Sequence, residues 1–451
     1  MTPPGPGHAE DPEDPVVEAF RAAAAAYSRC VWLDGGGARN WSRRTSLLSW
    51  LEDDDVSLTY SAARREVVRH RAGRAEVVGD DIWEVLAREV GPGEQWFGYL
   101  GYACRADLPA APSVDVPDAV WMRPSHIRLF HHDPDGHFVD LSGIATPDKS
   151  RDTRSTGYPT PAAAPPPAYR EAFAQVQEAL HAGDSYETNL TYRTTVEADL
   201  DPVEAYLRLR RLNPAPYAGF LQHDLGDPSG ASAWLLSSSP ERYAVVVDGW
   251  IETRPIKGTT PRGATPEEDE ALAAHLRSDP KLRSENLMVT DLLRNDLAMV
   301  CDPGTVSVPE LMTVESYPSV HQLVSVVRGR LRAGTGTIEA LRALFPAGSM
   351  TGAPKLRTME VIDRAESAPG LGGPRGAYAG AFGWISGDGA ADLGVVIRSI
   401  TTPDRRRWTL GTGGGITVRS EVGEEWAESR WKAERLLGVL GASGAAPAGD
   451  L

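Results

Sequence analysis

Strand-like runs in this chain follow one another with only turns between them. Residues 31–37, 46–51, 57–60 and 66–71 are short, rich in Val, Leu, Tyr and Trp, and divided by turn-forming residues. The pattern returns at 233–236 and 244–253, and again at 380–385, 393–400 and 408–413. A parallel pair needs a crossover, usually a helix, whereas strands joined by short turns must run antiparallel. Helical periodicity is confined to separate segments, 15–28, 82–90, 169–182, 202–212, 266–277, 284–299, 338–344, 355–365 and 424–440. The expected class is α+β, antiparallel sheets with helices beside them, and not a doubly wound parallel sheet.

The length of 451 residues suggests two or three domains. Prolines 159, 161, 165, 166 and 167 mark 146–168 as a linker. It would divide an N-terminal region, 15–145, from a larger unit, 169–441, with disordered tails at 1–14 and 442–451. Hydrophobic content of 41% and charged content of 24% are ordinary for a globular protein. A net charge of −16 argues against nucleic acid or an anionic membrane as a partner, yet allows a locally basic pocket for an anion. Cys30, Cys104 and Cys301 are too scattered for a metal motif or a disulfide framework, so a reducing cytoplasm is expected. No signal peptide is expected, because the first residues are acidic and Pro/Gly-rich.

One short stretch carries the chemistry. Arg254-Pro-Ile-Lys257-Gly258-Thr-Thr-Pro-Arg262-Gly263 follows a strand and reads as a loop. Pro255 fixes the chain before Lys257 and Gly258 frees it afterwards. If Arg254 and Arg262 lie near the lysine, they push it toward the neutral, nucleophilic amine. The plain alternative is a solvated lysine in an anion-binding loop. Glu241 ends an apolar strand; in an apolar cleft it would be a general acid, and otherwise an ion-pair partner of Arg242. Glu425, Glu428 and Lys432 share one face of the last helix, and Glu285 sits on a half-apolar helix. Such carboxylates suit Mg²⁺, or are simply salt-bridged faces. Gly413-Gly414-Gly415 offers either a carboxylate nest or a hairpin turn.

Read together, Gly183-Asp-Ser-Tyr-Glu-Thr-Asn-Leu190, Ser237-Ser-Ser-Pro-Glu-Arg242, Arg254-Pro-Ile-Lys-Gly-Thr259, Ser284-Glu-Asn-Leu-Met288, Phe345-Pro-Ala-Gly-Ser-Met-Thr-Gly-Ala-Pro354, Gly411-Thr-Gly-Gly-Gly415 and Glu425-x-x-Glu428 resemble the chorismate-utilising enzymes. The resemblance is dense over 169–440 and loose before it. It implies two antiparallel sheets in a sandwich flanked by helices, with the active site in the cleft between them. Anthranilate synthases of this family carry Ala where Lys257 stands, and the aminodeoxychorismate branch carries Lys. The resemblance therefore implies that chorismate and ammonia give 4-amino-4-deoxychorismate, with Mg²⁺ and a separate glutamine amidotransferase subunit. Anthranilate formation and a non-catalytic chorismate-binding subunit are the alternatives.

By the same resemblance Lys257 attacks C2 and Glu241 protonates the departing C4 hydroxyl. Glu285 and Glu428 hold Mg²⁺. Arg398 and Tyr378 grip the enolpyruvyl carboxylate, Gly413, Gly414, Gly415 and Lys432 receive a carboxylate, and His321 and Thr351 line the ring pocket. Three positions depart from the family pattern. Leu282 stands where many relatives are acidic, Glu187 replaces a common Gln, and Asp34-Gly35-Gly36 replaces a serine-containing turn.

Overall fold

The computed structural model describes residues 14–35, 45–131, 164–226, 231–317 and 320–442. The expected tails and most of the Pro-rich linker lie outside them. The first part of the chain forms α1 (Pro15–Ala26), β1 (Arg29–Asp34), β2 (Thr45–Trp50), β3 (Val56–Ser61), β4 (Glu66–Arg71), β5 (Arg74–Gly79), α2 (Ile82–Glu89), β6 (Gln95–Leu100), β7 (Ala119–Arg123) and β8 (His126–His131). Then come α3 (Pro167–His181), β9 (Glu187–Glu197), α4 (Pro202–Leu212), β10 (Tyr217–His223), β11 (Ala233–Ser239), β12 (Arg242–Val247), β13 (Trp250–Arg254) and β14 (Ile256–Pro261). The rest is α5 (Pro266–Ser278), α6 (Pro280–Ala298), β15 (Ser307–Ser316), β16 (Val320–Arg330), α7 (Thr337–Leu344), β17 (Gly352–Ala353), α8 (Lys355–Glu366), β18 (Ala381–Ser386), β19 (Ala391–Val395), β20 (Ser399–Thr402), β21 (Arg407–Ile416) and α9 (Val422–Val439).

The strands form two sheets, and the neighbours within each run antiparallel, as the turn-linked succession requires. The first has the order β17-β9-β21-β20-β11-β10-β1-β2-β8. The second has the order β14-β16-β13-β12-β19-β18-β6-β7-β3-β4-β5, with β15 also on β16. Val31, Leu221 and Leu235 of the first sheet meet Phe97, Tyr99 and Phe382 of the second, so the sheets form a sandwich. Helices α1, α4 and α9 cover the outer face of the first sheet, through Phe20, Tyr206 and Leu437 against Trp32, Phe220 and Trp408. Helices α2, α6 and α7 cover the second, while α3 and α8 pack on β9 at the end of the first. Burial of such large apolar side chains on both sides is the main term holding the layers together, at about 25 cal/mol per Å². No helix among the described residues is long and apolar enough to cross a membrane.

The N-terminal strands do not stand apart. Strand β1 lies between β10 and β2, and β6 lies between β18 and β7, so residues before and after the linker build the same two sheets. Two local expectations change. The stretch around Lys257 is an edge strand, β14, and not a loop. The single strand expected over 393–400 is two strands in different sheets, because the chain passes from one sheet to the other between Val395 and Ser399.

Candidate active cleft

Two such crossings lie side by side. Strand β11 belongs to the first sheet and β12 to the second, and Pro240-Glu241 bridges them. The β19–β20 crossing runs alongside, with Ser237 opposite Ser399 and Arg242 opposite Gly394. The Val395 amide donates to the Glu241 carbonyl at 2.9 Å, and the Ser238 amide donates to the Arg398 carbonyl at 3.2 Å. Both crossings thus set a charged side chain where the sheets part. Arg398 has φ 49°, a left-handed backbone that a non-glycine residue holds only when its surroundings fix it.

Glu241 is buried, and burial pushes its carboxyl up to about 7 against the pull of a Ser349 hydrogen bond and the Lys257 charge. It does not pair with Arg242, which turns away to Glu252 and to the Tyr217 hydroxyl, 2.6 Å from its Nε. Burial also lowers Arg398, to about 10, helped by the nearby Arg435 guanidinium. Tyr378 faces the same space, and burial lifts its hydroxyl to about 12.

Lys257 sits in a bulge. Ile256 is opposite Val324 and Thr259 opposite Gln322, so one residue more lies on β14 than on β16. Gly258 makes the bulge possible with φ 97°. The lysine is aimed between the sheets, and its Nζ donates to Oε1 of Glu187 on β9. The expectation that Arg254 and Arg262 would render it neutral is not met. Arg254 is paired with Glu310 and Glu315, and Arg262 with Asp269. Burial lowers the Lys257 ammonium, but the carboxylates of Glu187, Glu285 and Glu241 outweigh it, and the pKa ends above its ordinary value.

Helices α6 and α9 close the cleft. Asn286 ties α6 to β16 by donating to the Leu323 carbonyl at 3.2 Å, which holds the adjacent Glu285 at the opening. Burial raises Glu285 to about 7, against the pull of the Lys257 and Lys281 charges. On α9, Glu428 is 2.8 Å from Lys432, and that cation holds its carboxyl below the usual range. Glu425 is 2.9 Å from Lys281 and accepts from Ser420 at 2.6 Å. Lys281 was not anticipated, although it stands one turn before Glu285 on the same helix face. Ser349, beside Thr351, was missed as well, because a buried serine in a Gly/Pro-rich loop carries no periodicity.

The glycine run is neither a nest nor a turn. Gly413, Gly414 and Gly415 lie within β21, opposite Thr191, Leu190 and Asn189. In an extended strand successive N–H groups point to opposite sides, so three of them cannot converge on one carboxylate. Lys432 donates to the Gly413 carbonyl at 3.1 Å. What the glycines supply is room. A Cβ on Gly411 would stand 2.2 Å from the Tyr378 ring, and one on Gly415 would stand 2.3 Å from Glu187 Oε1 and 3.0 Å from Lys257 Nζ. Thr351 and His321 are not on the cleft wall. Thr351 is buried, with its hydroxyl donating to the Gly348 carbonyl at 3.1 Å. His321 is held between Ser316 at 2.8 Å and Asp269 at 2.9 Å.

The cleft therefore gathers Glu241, Lys257, Glu285, Tyr378, Arg398, Glu425, Glu428 and Lys432 around one space. Similar chains are found among solved structures and curated proteins. The anthranilate synthase component I of Streptococcus pneumoniae TIGR4 has a similar structure, with a TM-score of 0.67 and 26% identity over 88% of this chain and 93% of that one. An aminodeoxychorismate synthase of Streptomyces griseus is 39% identical over 95% of this chain and 58% of its own length. Aminodeoxychorismate synthase component 1 of Klebsiella aerogenes is 44% identical over 60% of this chain and 57% of its own length. The chain thus spans little more than half the length of these curated relatives. The family described as chorismate binding enzyme matches residues 29–438, nearly all of both sheets, and the chain belongs to that family.

Proposed function

We propose that the chain aminates chorismate at C4 to give 4-amino-4-deoxychorismate, with Lys257 as a covalent nucleophile. The observation that carries this reading is that a mostly buried lysine and Glu241, a carboxyl group poised near 7, line one cleft. The lysine nitrogen bonds to C2, both conjugated ring double bonds shift, and the C4–O bond breaks as Glu241 gives its proton to the departing hydroxyl, releasing water. Ammonia then bonds to C4, both double bonds shift back, and the C2–N bond breaks to free Lys257. The new ammonium returns a proton to Glu241. Arg398 and Tyr378 orient the enolpyruvyl carboxylate, where a guanidinium can bond bidentately.

Glu285 and Glu428 suit Mg²⁺. They are hard oxygen donors from two helices, and Glu285 is a buried carboxylate in need of a counter-charge. Among the described residues no three His, Cys, Asp or Glu side chains form a ready-made metal cluster, so these two carboxylates would need water and substrate oxygens to complete the coordination. Bound there, the cation would neutralise the ring carboxylate and permit its approach to two acidic side chains. Ammonia would come from a separate glutamine amidotransferase subunit, in keeping with the name component 1 of the Klebsiella relative. The test is to incubate the protein with chorismate, MgCl₂ and ammonium and identify the product by mass. 4-Amino-4-deoxychorismate is expected; anthranilate with pyruvate, or no turnover, overturns the reading.

A further inference from the structure

Glu187 is 2% exposed, at the start of β9, and its Oε1 accepts from Lys257 Nζ while its Oε2 has no hydrogen-bond partner. The two groups meet over Gly415, where a Cβ would stand 2.3 Å from Glu187 Oε1 and 3.0 Å from Lys257 Nζ and would push the carboxylate aside. Three segments far apart in sequence, β9, β14 and β21, thus conspire to place a buried carboxylate on the amine that must react. The other carboxylates that face the lysine are Glu285 from α6, Glu241 from the β11–β12 crossing and Glu428 from α9. These act on Lys257 through their charge, whereas Glu187 also accepts a hydrogen bond from it. An ammonium in this setting cannot attack carbon until its proton has a place to go.

We propose that Glu187 is the base that takes the proton from Lys257 as the amine attacks C2, and the acid that returns it when the amine is freed. This rests on Lys257 being the nucleophile. The balance closes within the pair. Lys257-NH₃⁺ with Glu187-COO⁻ becomes Lys257-NH₂ with Glu187-COOH. The amine bonds to C2 while Glu241 protonates the leaving hydroxyl. After ammonia has displaced the lysine from C2, the Glu187 carboxylic acid reprotonates the free amine, and no proton of this pair passes through solvent. The same contact explains why a cationic resting lysine is compatible with nucleophilic work, which the neighbouring arginines do not.

The experiment is single-turnover formation of the Lys257–chorismate adduct in the Mg²⁺-loaded full chain without ammonia, followed by intact mass. Glu187→Gln removes the base but keeps the shape. It is expected to slow adduct formation by about 100-fold at pH 7, a typical loss for a positioned base. The Gln variant must lose its lysine proton to solvent, so its deficit relative to wild type should shrink roughly tenfold per pH unit above 7 until the lysine itself titrates. Taking the ratio cancels the titration of Glu241, which both proteins share. Glu187→Asp should retain part of the rate. Glu187→Ala should be rescued by added formate, a small carboxylate, and this variant answers the question if the Gln protein does not fold. Equal adduct rates for Glu187→Gln and wild type across pH 7–9, or no formate rescue, overturn the role of Glu187 while leaving Lys257 as nucleophile. Product formation by wild type with no adduct at any time overturns both.

Discussion

At Lys257 two requirements oppose each other. Burial favours a neutral amine, and three carboxylates favour the ammonium; the carboxylates prevail. Lys257→Ala should therefore abolish the covalent adduct and reduce C4 amination by at least about 100-fold, read as product per minute with ammonium. Wild-type rates from that variant would return Lys257 to a mere binding charge. Glu241 works at the opposite sign. Its step needs the protonated acid, so adduct formation should fall as pH rises through about 7, and Glu241→Gln should remove this limb along with most of the rate. Glu285 makes a stability statement. Its folded pKa, about 7, lies above the ordinary carboxylate value. The native state therefore binds more protons than the unfolded chain between the two values, and stability falls as pH rises across that window. In metal-free protein at pH 8, Glu285→Gln should raise the melting temperature by about 2 °C or more while turnover with Mg²⁺ is lost. An unchanged or lower melting temperature would show that the ionised carboxylate is not a burden on the fold.

At the scale of elements, the glycines of β21 are the least forgiving positions. Gly411→Ala would drive a methyl group into the Tyr378 ring, 2.2 Å away. That should raise the KM for chorismate by about tenfold, more than it lowers kcat, if Tyr378 grips the substrate. Helices were the most legible part of the sequence. The face of α9 carrying Glu425, Glu428 and Lys432, and the packed face carrying Trp426, Ala433 and Leu437, follow from the period of 3.6 alone. Strands were less so. Residues 393–400 read as one apolar run because nothing local records a change of sheet, and the left-handed turn at Arg398 has no glycine to announce it. The run 254–263 read as a loop because Pro and Gly punctuate it, whereas tertiary pairing with β16 makes it an edge strand. Contacts between distant strands, such as Glu187 with Lys257, leave no trace in either segment. The same holds for Thr351 and His321. Their motifs lie near the cleft, but their side chains are spent on the Gly348 carbonyl, Ser316 and Asp269.

At the scale of the whole molecule, the order of strands matters more than the order of the chain. Removing residues 14–131 would strip β1 from β10 and β6 from β18, opening both sheets in mid-span and exposing Phe382 and Leu221. The fragment 164–442 is expected to be insoluble or unfolded by circular dichroism, and co-expression with 14–131 should recover soluble protein. A cooperatively folded fragment would mean that the second part holds a sufficient core by itself. The two adjacent crossings have a further consequence. They stitch the sheets together at neighbouring points, so the acid and the arginine ride on a seam that cannot slip without unpicking the ladders on both sides. Strand β14 hangs by one edge alone. The seam is the vice and the edge strand the interchangeable blade: changes of reaction outcome can be made at Lys257 and its neighbours without resetting the jaws that hold the substrate.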